Sequence, residues 1–175
     1  MIVLTVVLLF VVFGGFFVAA AIEVPGSGAE AGPPVTVSGV RFGPRPGWVV
    51  ARRLPGEIPA VQLTRGSGNL LVVVFPGETD PSVALERYRD EVLAPEAITL
   101  EMSSEVERLP HPSAGRALRA FYVGTFQDNP SPLEGDVTAF VLPSGGVVFD
   151  GWAQEGTFQQ FADDVHDMAA KAEPA

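Results

Sequence analysis

Residues 70–75 read Leu-Leu-Val-Val-Val-Phe, and this stretch decides how the rest of the chain must be arranged. Side chains on a strand alternate between its two faces, so a strand with six apolar residues in succession presents apolar side chains to both sides. Such a strand is stable only where both faces of its sheet are covered. The stretch therefore predicts a buried strand with a helix packed on each face of the sheet.

The first covering helix follows directly after this strand. Asp80 suits the N-cap position, and Pro81 fits the first helical position, where its missing N–H costs nothing. Leu85, Tyr88 and Val92 then recur at helical spacing and form an apolar stripe. We predict that this stripe packs on the sheet.

The second covering helix is expected near the C-terminal end, at residues 157–171. Its apolar side chains recur three or four residues apart, at Phe158, Phe161, Val165 and Met168. The remaining segments alternate apolar and polar residues and are separated by turns that contain Gly and Pro. Tight turns join neighbouring strands antiparallel. The sequence therefore predicts an α+β fold, a mainly antiparallel sheet with one helix on each face (an α/β/α sandwich).

The N-terminal segment differs from everything that follows it. Residues 2–22 contain no charged side chain, and Thr5 is the only polar residue among them. At about 1.5 Å per residue, a helix of this length spans about 30 Å, the thickness of a bilayer's hydrocarbon core. We therefore predict a transmembrane helix at residues 1–22, a flexible Gly/Pro linker at 23–34 and the α+β domain at 35–175.

We expect this anchor to hold the domain outside the cytoplasm, in the cell membrane, with the N-terminus inside. The first charged residues after the apolar segment are Glu23 and Glu30, and the first arginine is Arg41. The alternative is a signal peptide cleaved near Ala21, which would release the domain. The apolar run is longer than a typical signal peptide, however, and no basic residue precedes it.

Composition excludes several classes of function. The net charge of −10 arises from 11 basic and 21 acidic residues, all of which follow the apolar segment. The acidic balance and the single lysine, Lys171, argue against nucleic acid as a partner, because phosphate binding needs a clustered positive face. The chain has no cysteine, which excludes disulfides, thiolate catalysis and cysteine-bound zinc. The apolar core must therefore hold the fold by itself.

No set of residues predicts a catalytic site, a metal site or a cofactor site. Asp163, His166 and Asp167 share one face of the second helix, a spacing that can hold a divalent ion and would suit a metal-dependent hydrolase. The sequence indicates no additional metal-ligating residue elsewhere, so we favour the interpretation that these side chains form a solvated helix face. His111, between two prolines, is expected in a surface loop. We favour a non-catalytic module over an enzyme.

The order and lengths of these elements resemble the PsbP-like fold. The resemblance is carried by Phe42 and Trp48 on the early strands, the hairpin 62–75, the Asp80-Pro81 helix and the closing strand and helix at 147–171. Residues 149–152 (FDGW) and 163–166 (DDVH) look like small membrane-anchored actinobacterial proteins of unassigned role. The resemblance implies a non-catalytic binding or assembly module of the cell envelope, with a protein or an envelope component as its partner. The lipoproteins of this fold carry an acylated cysteine, which this chain lacks.

Charge is distributed unevenly along the domain. Five arginines lie in the first strands, whereas nine acids and one lysine follow Gln127. These arginines could form a basic surface that reads anionic lipid headgroups, or they could pair with acids of the second half. The two tryptophans, each preceded by a glycine, could line a ligand cleft or a partner surface, but we favour core residues to which the glycine gives room. The candidate partner or lipid surface comprises Arg41, Arg45, Arg52, Arg53, Arg65, Trp48 and Trp152.

Overall fold

The computed structural model describes residues 8–12, 15–19 and 31–175. Within these ranges, antiparallel strands make up most of the fold. The strands are β1 (Leu8–Val12), β2 (Gly15–Ala19), β3 (Val35–Val37), β4 (Val40–Phe42), β5 (Val49–Leu54), β6 (Ala60–Arg65), β7 (Gly68–Pro76), β8 (Ala97–Met102), β9 (Glu107–His111), β10 (Gly115–Phe126), β11 (Asn129–Leu142), β12 (Gly145–Gln154) and β13 (Glu173–Pro174).

The central sheet has eight strands in the order β5-β6-β7-β12-β11-β10-β8, with β9 beside β10. Every neighbouring pair is antiparallel. β7 lies inside the sheet between β6 and β12, and each of residues 70–75 is at most 4% exposed. The predicted buried strand is therefore confirmed.

One helix packs on each face of this sheet, as predicted. The helix α1 (Pro81–Tyr88) begins with Asp80 as N-cap, whose carboxylate accepts the N–H of Ser82 at 2.8 Å. It continues through a π-helical segment (Arg89–Leu93) into the short helix α2 (Ala94–Glu96). The helix α3 (Gln159–Ala170) lies on the other face. We call the two sides of the sheet the α1 face and the α3 face.

Each face has its own apolar core because the strands send alternate side chains to either side. On β7, Leu71 and Val73 pack under α1, whereas Val72 and Val74 pack on the α3 face. Gly151 lets α3 approach the sheet closely, because a Cβ atom at this position would lie 2.7 Å from the methyl groups of Val165. A smaller sheet, β13-β4-β3, extends the core of the α3 face.

The N-terminal segment differs from the prediction in the part that the structure describes. Instead of a transmembrane helix, β1 and β2 form an antiparallel pair in which Phe10 lies opposite Phe17. Valine and phenylalanine make up most of both strands, and both favour extended backbone. No helix among the described residues is long and apolar enough to cross a bilayer. The rest of the segment and linker residues 23–30 lie outside the described residues.

The prediction for His111 is wrong. The residue ends β9, is 3% exposed and stacks on Phe140 with ring centroids 4.1 Å apart. Its Nδ1 accepts backbone N–H groups of the following turn, so its Nε2–H donates to the carbonyl of Ala169 on α3 at 3.0 Å. Burial lowers the pKa of His111. The flanking prolines are tolerated because β9 is an edge strand that pairs with β10 alone.

Candidate binding pocket

A cavity of about 120 Å³ opens on the α1 face, between the end of the helical segment and strands β10 to β12. Four aromatic side chains line it together with the carboxyl group of Asp150, and we call this cavity the aromatic pocket. The four are Tyr88, Tyr122, Phe126 and Trp152.

Three secondary-structure elements bring these side chains together. Tyr88 is the last residue of α1, Tyr122 lies in the middle of β10, and Asp150 and Trp152 share one face of β12. Asp150 lies opposite Leu71 of β7, so its carboxyl group stands on the buried α1 face. The mouth is formed by exposed or half-buried residues: Gln127 and Asp128 between β10 and β11, Asn129 at the start of β11, and Glu96 of α2.

The deep end of the pocket is a hydrogen-bonded triad of one carboxyl group and two phenols. The Tyr88 hydroxyl donates to Oδ2 of Asp150 at 2.6 Å, and the Tyr122 hydroxyl donates to Oδ1 at 3.0 Å. Asp150 is 2% exposed, and burial raises its pKa to about 7 although the two hydroxyls favour the ionised form. Burial also raises the pKa of both tyrosines well above the usual value, so their hydroxyls stay protonated and remain donors.

A second buried carboxyl group lies on the α3 face. Asp136 of β11 is fully buried, and its Oδ2 accepts the Nε2–H of His166. The guanidinium of Arg119 lies 3.5 Å from the other ring nitrogen of His166, Nδ1. A nucleophilic triad would need a hydroxyl or a thiol at that position. This arrangement therefore attaches α3 to the sheet and presents no nucleophile.

The three side chains on α3 that could have held a divalent ion, Asp163, His166 and Asp167, do not converge on one point. His166 is turned toward the sheet, Asp167 pairs with Lys171 at 2.7 Å, and Asp163 remains exposed. In the part of the chain that the structure describes, no group of three His, Asp or Glu side chains could hold a metal ion. The prediction of a solvated face fails for His166 because this side chain reaches the buried Asp136 across the packed interface.

Three of the candidate surface arginines contact acids of the second half of the chain. Arg41 pairs with Glu173 at 2.7 Å, whereas Arg45 and Arg65 both bind the carboxylate of Asp164 on α3. Arg45 also lies 3.4 Å from Asp167. These contacts match the alternative in which the arginines pair within the domain. The lipid surface itself stays a prediction.

The other four candidate residues are placed differently from one another. Arg53 donates to the carbonyl of Thr36 at 2.8 Å, and Arg52 is half-buried on β5. Trp48 is 3% exposed, and its indole N–H donates to Asp164 at 2.9 Å, so it belongs to the core and not to a surface. Trp152 lines the aromatic pocket. The structure therefore does not bring the seven residues together into one surface.

Sequence reasoning missed the residues of the pocket's deep end. Tyr88 and Tyr122 have the ordinary appearance of core residues, and only Asp150 carries a signal. It follows three apolar residues in Val-Val-Phe-Asp at 147–150, where a carboxyl group is out of place unless it has buried partners. Its partners, Tyr88 and Tyr122, lie 62 and 28 residues earlier in the chain. No feature of the sequence around them identifies them as partners of a buried carboxyl group.

Comparison with known proteins gives similarity of fold only. No protein-family model matches the sequence, and no curated protein matches it. The solution structure of the cyanobacterial PsbP, CyanoP, from Synechocystis sp. PCC 6803 is 14% identical with a TM-score of 0.48, covering 79% of this chain and 88% of its own. The structure of a mutant of the protein Mog1 is 10% identical with a TM-score of 0.49, covering 78% of this chain and 90% of its own.

A third similar structure is that of LpqN of Mycobacterium tuberculosis, described as involved in cell envelope biogenesis. It is 12% identical with a TM-score of 0.45, and the match covers 81% of this chain and 88% of LpqN. The PsbP-like resemblance is thus a distant structural similarity. Function has to be argued from the residues of this chain.

Proposed function

We propose that this chain is a non-catalytic binding module held at the outer face of the cell membrane, and that it binds its ligand in the aromatic pocket. The observation that carries the proposal is a cavity of about 120 Å³ whose deep end is a buried carboxyl group. Apolar cavities with a few converging polar groups and a titrating residue are the usual form of ligand sites. A cavity of about 150 Å³ holds benzene, so the pocket suits a group of about one ring.

The polar groups of the pocket are better suited to binding a ligand than to catalysing a reaction. Both tyrosine hydroxyls already donate to Asp150, and burial keeps them protonated. Acid–base catalysis needs a second group positioned to exchange protons with the substrate. The other carboxyl groups among the described lining residues, Glu96 and Asp128, lie at the mouth. The triad is therefore suited to orient a bound group.

The pocket is tested by titrating the full chain, in detergent micelles, with small aromatic and aliphatic compounds of different charge. We expect NMR shifts that cluster at Tyr88, Tyr122 and Trp152. Leu133→Trp fills the pocket and should abolish them, because Leu133 is 8% exposed and lines the cavity. Val123→Trp, at an exposed position of β10, is the matched control and should leave binding unchanged. Binding that survives Leu133→Trp contradicts the proposal.

Membrane attachment rests on the composition of residues 2–22, which carry no charge. Among the described residues, β1 and β2 pair only with each other. The outer edges of such a hairpin would be left without hydrogen-bond partners in lipid, so we expect a helix once the segment is inserted. Residues 23–34 would then tether the domain outside the cytoplasm.

Attachment is tested in cells that express the full chain with a C-terminal tag. The tagged chain should resist extraction by alkaline carbonate, and protease added to intact cells should remove the tag. Val11→Asp places a charge inside the apolar segment at a cost of about 3 kcal/mol and should reduce insertion. A chain recovered in the cytosol, or a tag that the protease cannot reach, contradicts this part of the proposal. Recovery of a shortened chain in the medium would indicate cleavage near Ala21 instead.

A further inference from the structure

The charged side chains of the aromatic pocket have one sign. They are Glu96, Asp128 and Asp150, and the described lining includes no basic residue. The remaining wall is mainly aromatic and aliphatic. Carboxylates attract a cation through their charge, and aromatic faces attract it through the quadrupole of the ring. The pocket therefore combines the two kinds of group that select organic cations.

Asp150 has hydrogen-bond partners but no counter-charge among its described neighbours. Tyr88 of α1 and Tyr122 of β10 are neutral donors, and Asp136 of β11, on the other side of the sheet, raises the pKa of Asp150 further. A buried carboxylate without a counter-charge is costly, and a cation in the pocket would remove much of that cost. An anion in the pocket would increase the free-energy cost of the buried carboxylate.

The carboxyl group of Asp150 also retains acceptor capacity. An ionised carboxylate can accept about four hydrogen bonds, and two tyrosine hydroxyls occupy part of that capacity. An ammonium group carries N–H donors and no acceptor, so it complements these unused positions. A ligand hydroxyl could fill them too, but without balancing the charge.

We infer that the aromatic pocket binds a small organic cation, an ammonium group on an apolar body of about one ring, with the ammonium directed to Asp150. The inference rests on the proposed function, because it names the ligand class of the same pocket. The apolar body would pack against the aromatic walls, and the acids at the mouth would favour entry of a positive charge.

The test compares three probes of similar shape and different charge, benzylammonium, benzyl alcohol and benzoate, on the full chain in neutral detergent. We expect benzylammonium to bind at least about tenfold more tightly than benzyl alcohol, and benzoate not to bind. Asp150→Asn should reduce the preference for benzylammonium to less than about threefold while benzyl alcohol binding persists.

A milder variant covers the case in which Asp150→Asn does not fold. Glu96→Gln at the half-buried mouth should weaken benzylammonium about twofold, whereas Glu101→Gln, an exposed acid of β8 outside the pocket, should have no effect. Benzylammonium should also bind several-fold more tightly at pH 8 than at pH 6, because the pKa of Asp150 is about 7. Benzyl alcohol should not show this change.

The outcomes separate the two proposals. Equal binding of benzylammonium and benzyl alcohol at the pocket overturns the cation inference and leaves the proposed binding function standing. The same holds if Asp150→Asn and Glu96→Gln both keep the full preference. If no probe of any charge shifts the pocket residues, the proposed function itself fails.

Discussion

At the scale of single residues, Asp150 places a titrating group inside an apolar core. Burial raises its pKa from 3.8 to about 7, so the folded protein holds this proton more tightly than the unfolded chain does. Protonation therefore favours folding. The stability associated with the neutral form is present at low pH and is lost as the pH rises from about 4 to about 7, by at most about 1.4 kcal/mol per pH unit.

The variant Asp150→Asn should remove this dependence, because an amide stays neutral at every pH. We expect its free energy of unfolding to vary less than that of the wild type between about pH 5 and pH 8, and to exceed it at the upper end. Urea unfolding of the full chain at several pH values measures this. Asp163→Asn changes an exposed acid and should follow the wild type. Parallel curves for Asp150→Asn and the wild type would contradict the assignment.

At the scale of elements, two polar contacts hold α3 on the sheet in addition to the one from His111 to Ala169. At one, His166 reaches the buried Asp136. At the other, Asp164 accepts the indole N–H of Trp48 and binds Arg45 and Arg65. The helix is thus joined to β11 and to the early strands by side chains, in addition to its apolar stripe. Both contacts lead to predictions about the attachment of α3.

His166→Ala should destabilise the domain by about 3–5 kcal/mol, because it leaves the carboxylate of Asp136 buried without its partner. The double variant His166→Ala with Asp136→Asn should lose less than the single one, since the unpaired charge is gone. Denaturant unfolding of His166→Ala, Asp136→Asn and the double variant measures the coupling between the two residues. If the double variant is as unstable as the sum of the two single variants, the pair is not coupled.

Asp164→Ala should cost about 1–3 kcal/mol, because the buried indole N–H of Trp48 loses its acceptor. The neighbouring Asp163→Ala, at an exposed position, is a matched control with little expected effect. With Trp152 replaced by Phe, the emission of Trp48 reports the site alone, since the chain has two tryptophans. Unchanged emission and stability in Asp164→Ala would show that the contact contributes nothing.

At the scale of the whole molecule, an acidic domain is held close to a membrane by its own tether, under the proposal above. The net charge of −10 repels anionic headgroups, and Arg41, Arg45 and Arg65 already contact acids within the domain. Pairing of this kind opposes a second role in lipid binding, because a headgroup would have to displace a carboxylate that is already in place.

The full chain in nanodiscs should therefore give the same domain NMR spectrum with neutral lipids as with anionic lipids. Added salt should have the same effect on the spectrum in both lipids, because it screens the exposed arginine–acid pairs whatever the headgroup. Shifts at the five early arginines that appear only with anionic lipids and vanish at high salt would support the lipid-reading alternative. Their absence in both lipids would remove it.

Local patterns were enough to predict the buried strand and the two helices that cover the sheet, but not the strand pair β1–β2 or the edge strand β9. The apolar run at residues 70–75 implied a strand covered on both faces, and Asp80-Pro81 marked the start of α1, because periodicity and capping depend on neighbours a few residues apart. Composition alone excluded cysteine chemistry and argued against nucleic acid as a partner. The same local patterns misplaced His111, whose burial depends on α3 and β11, both distant in the chain.

The pocket was decided by tertiary structure alone. Asp150 meets Tyr88 and Tyr122 across 62 and 28 residues, and Arg65 meets Asp164 across 99. These long-range contacts follow from the strand order β7-β12-β11-β10 and from the face of the sheet on which each helix packs. Many strand orders satisfy the same alternation of apolar and polar residues, so residue spacing leaves these contacts undetermined until the whole sheet is assembled.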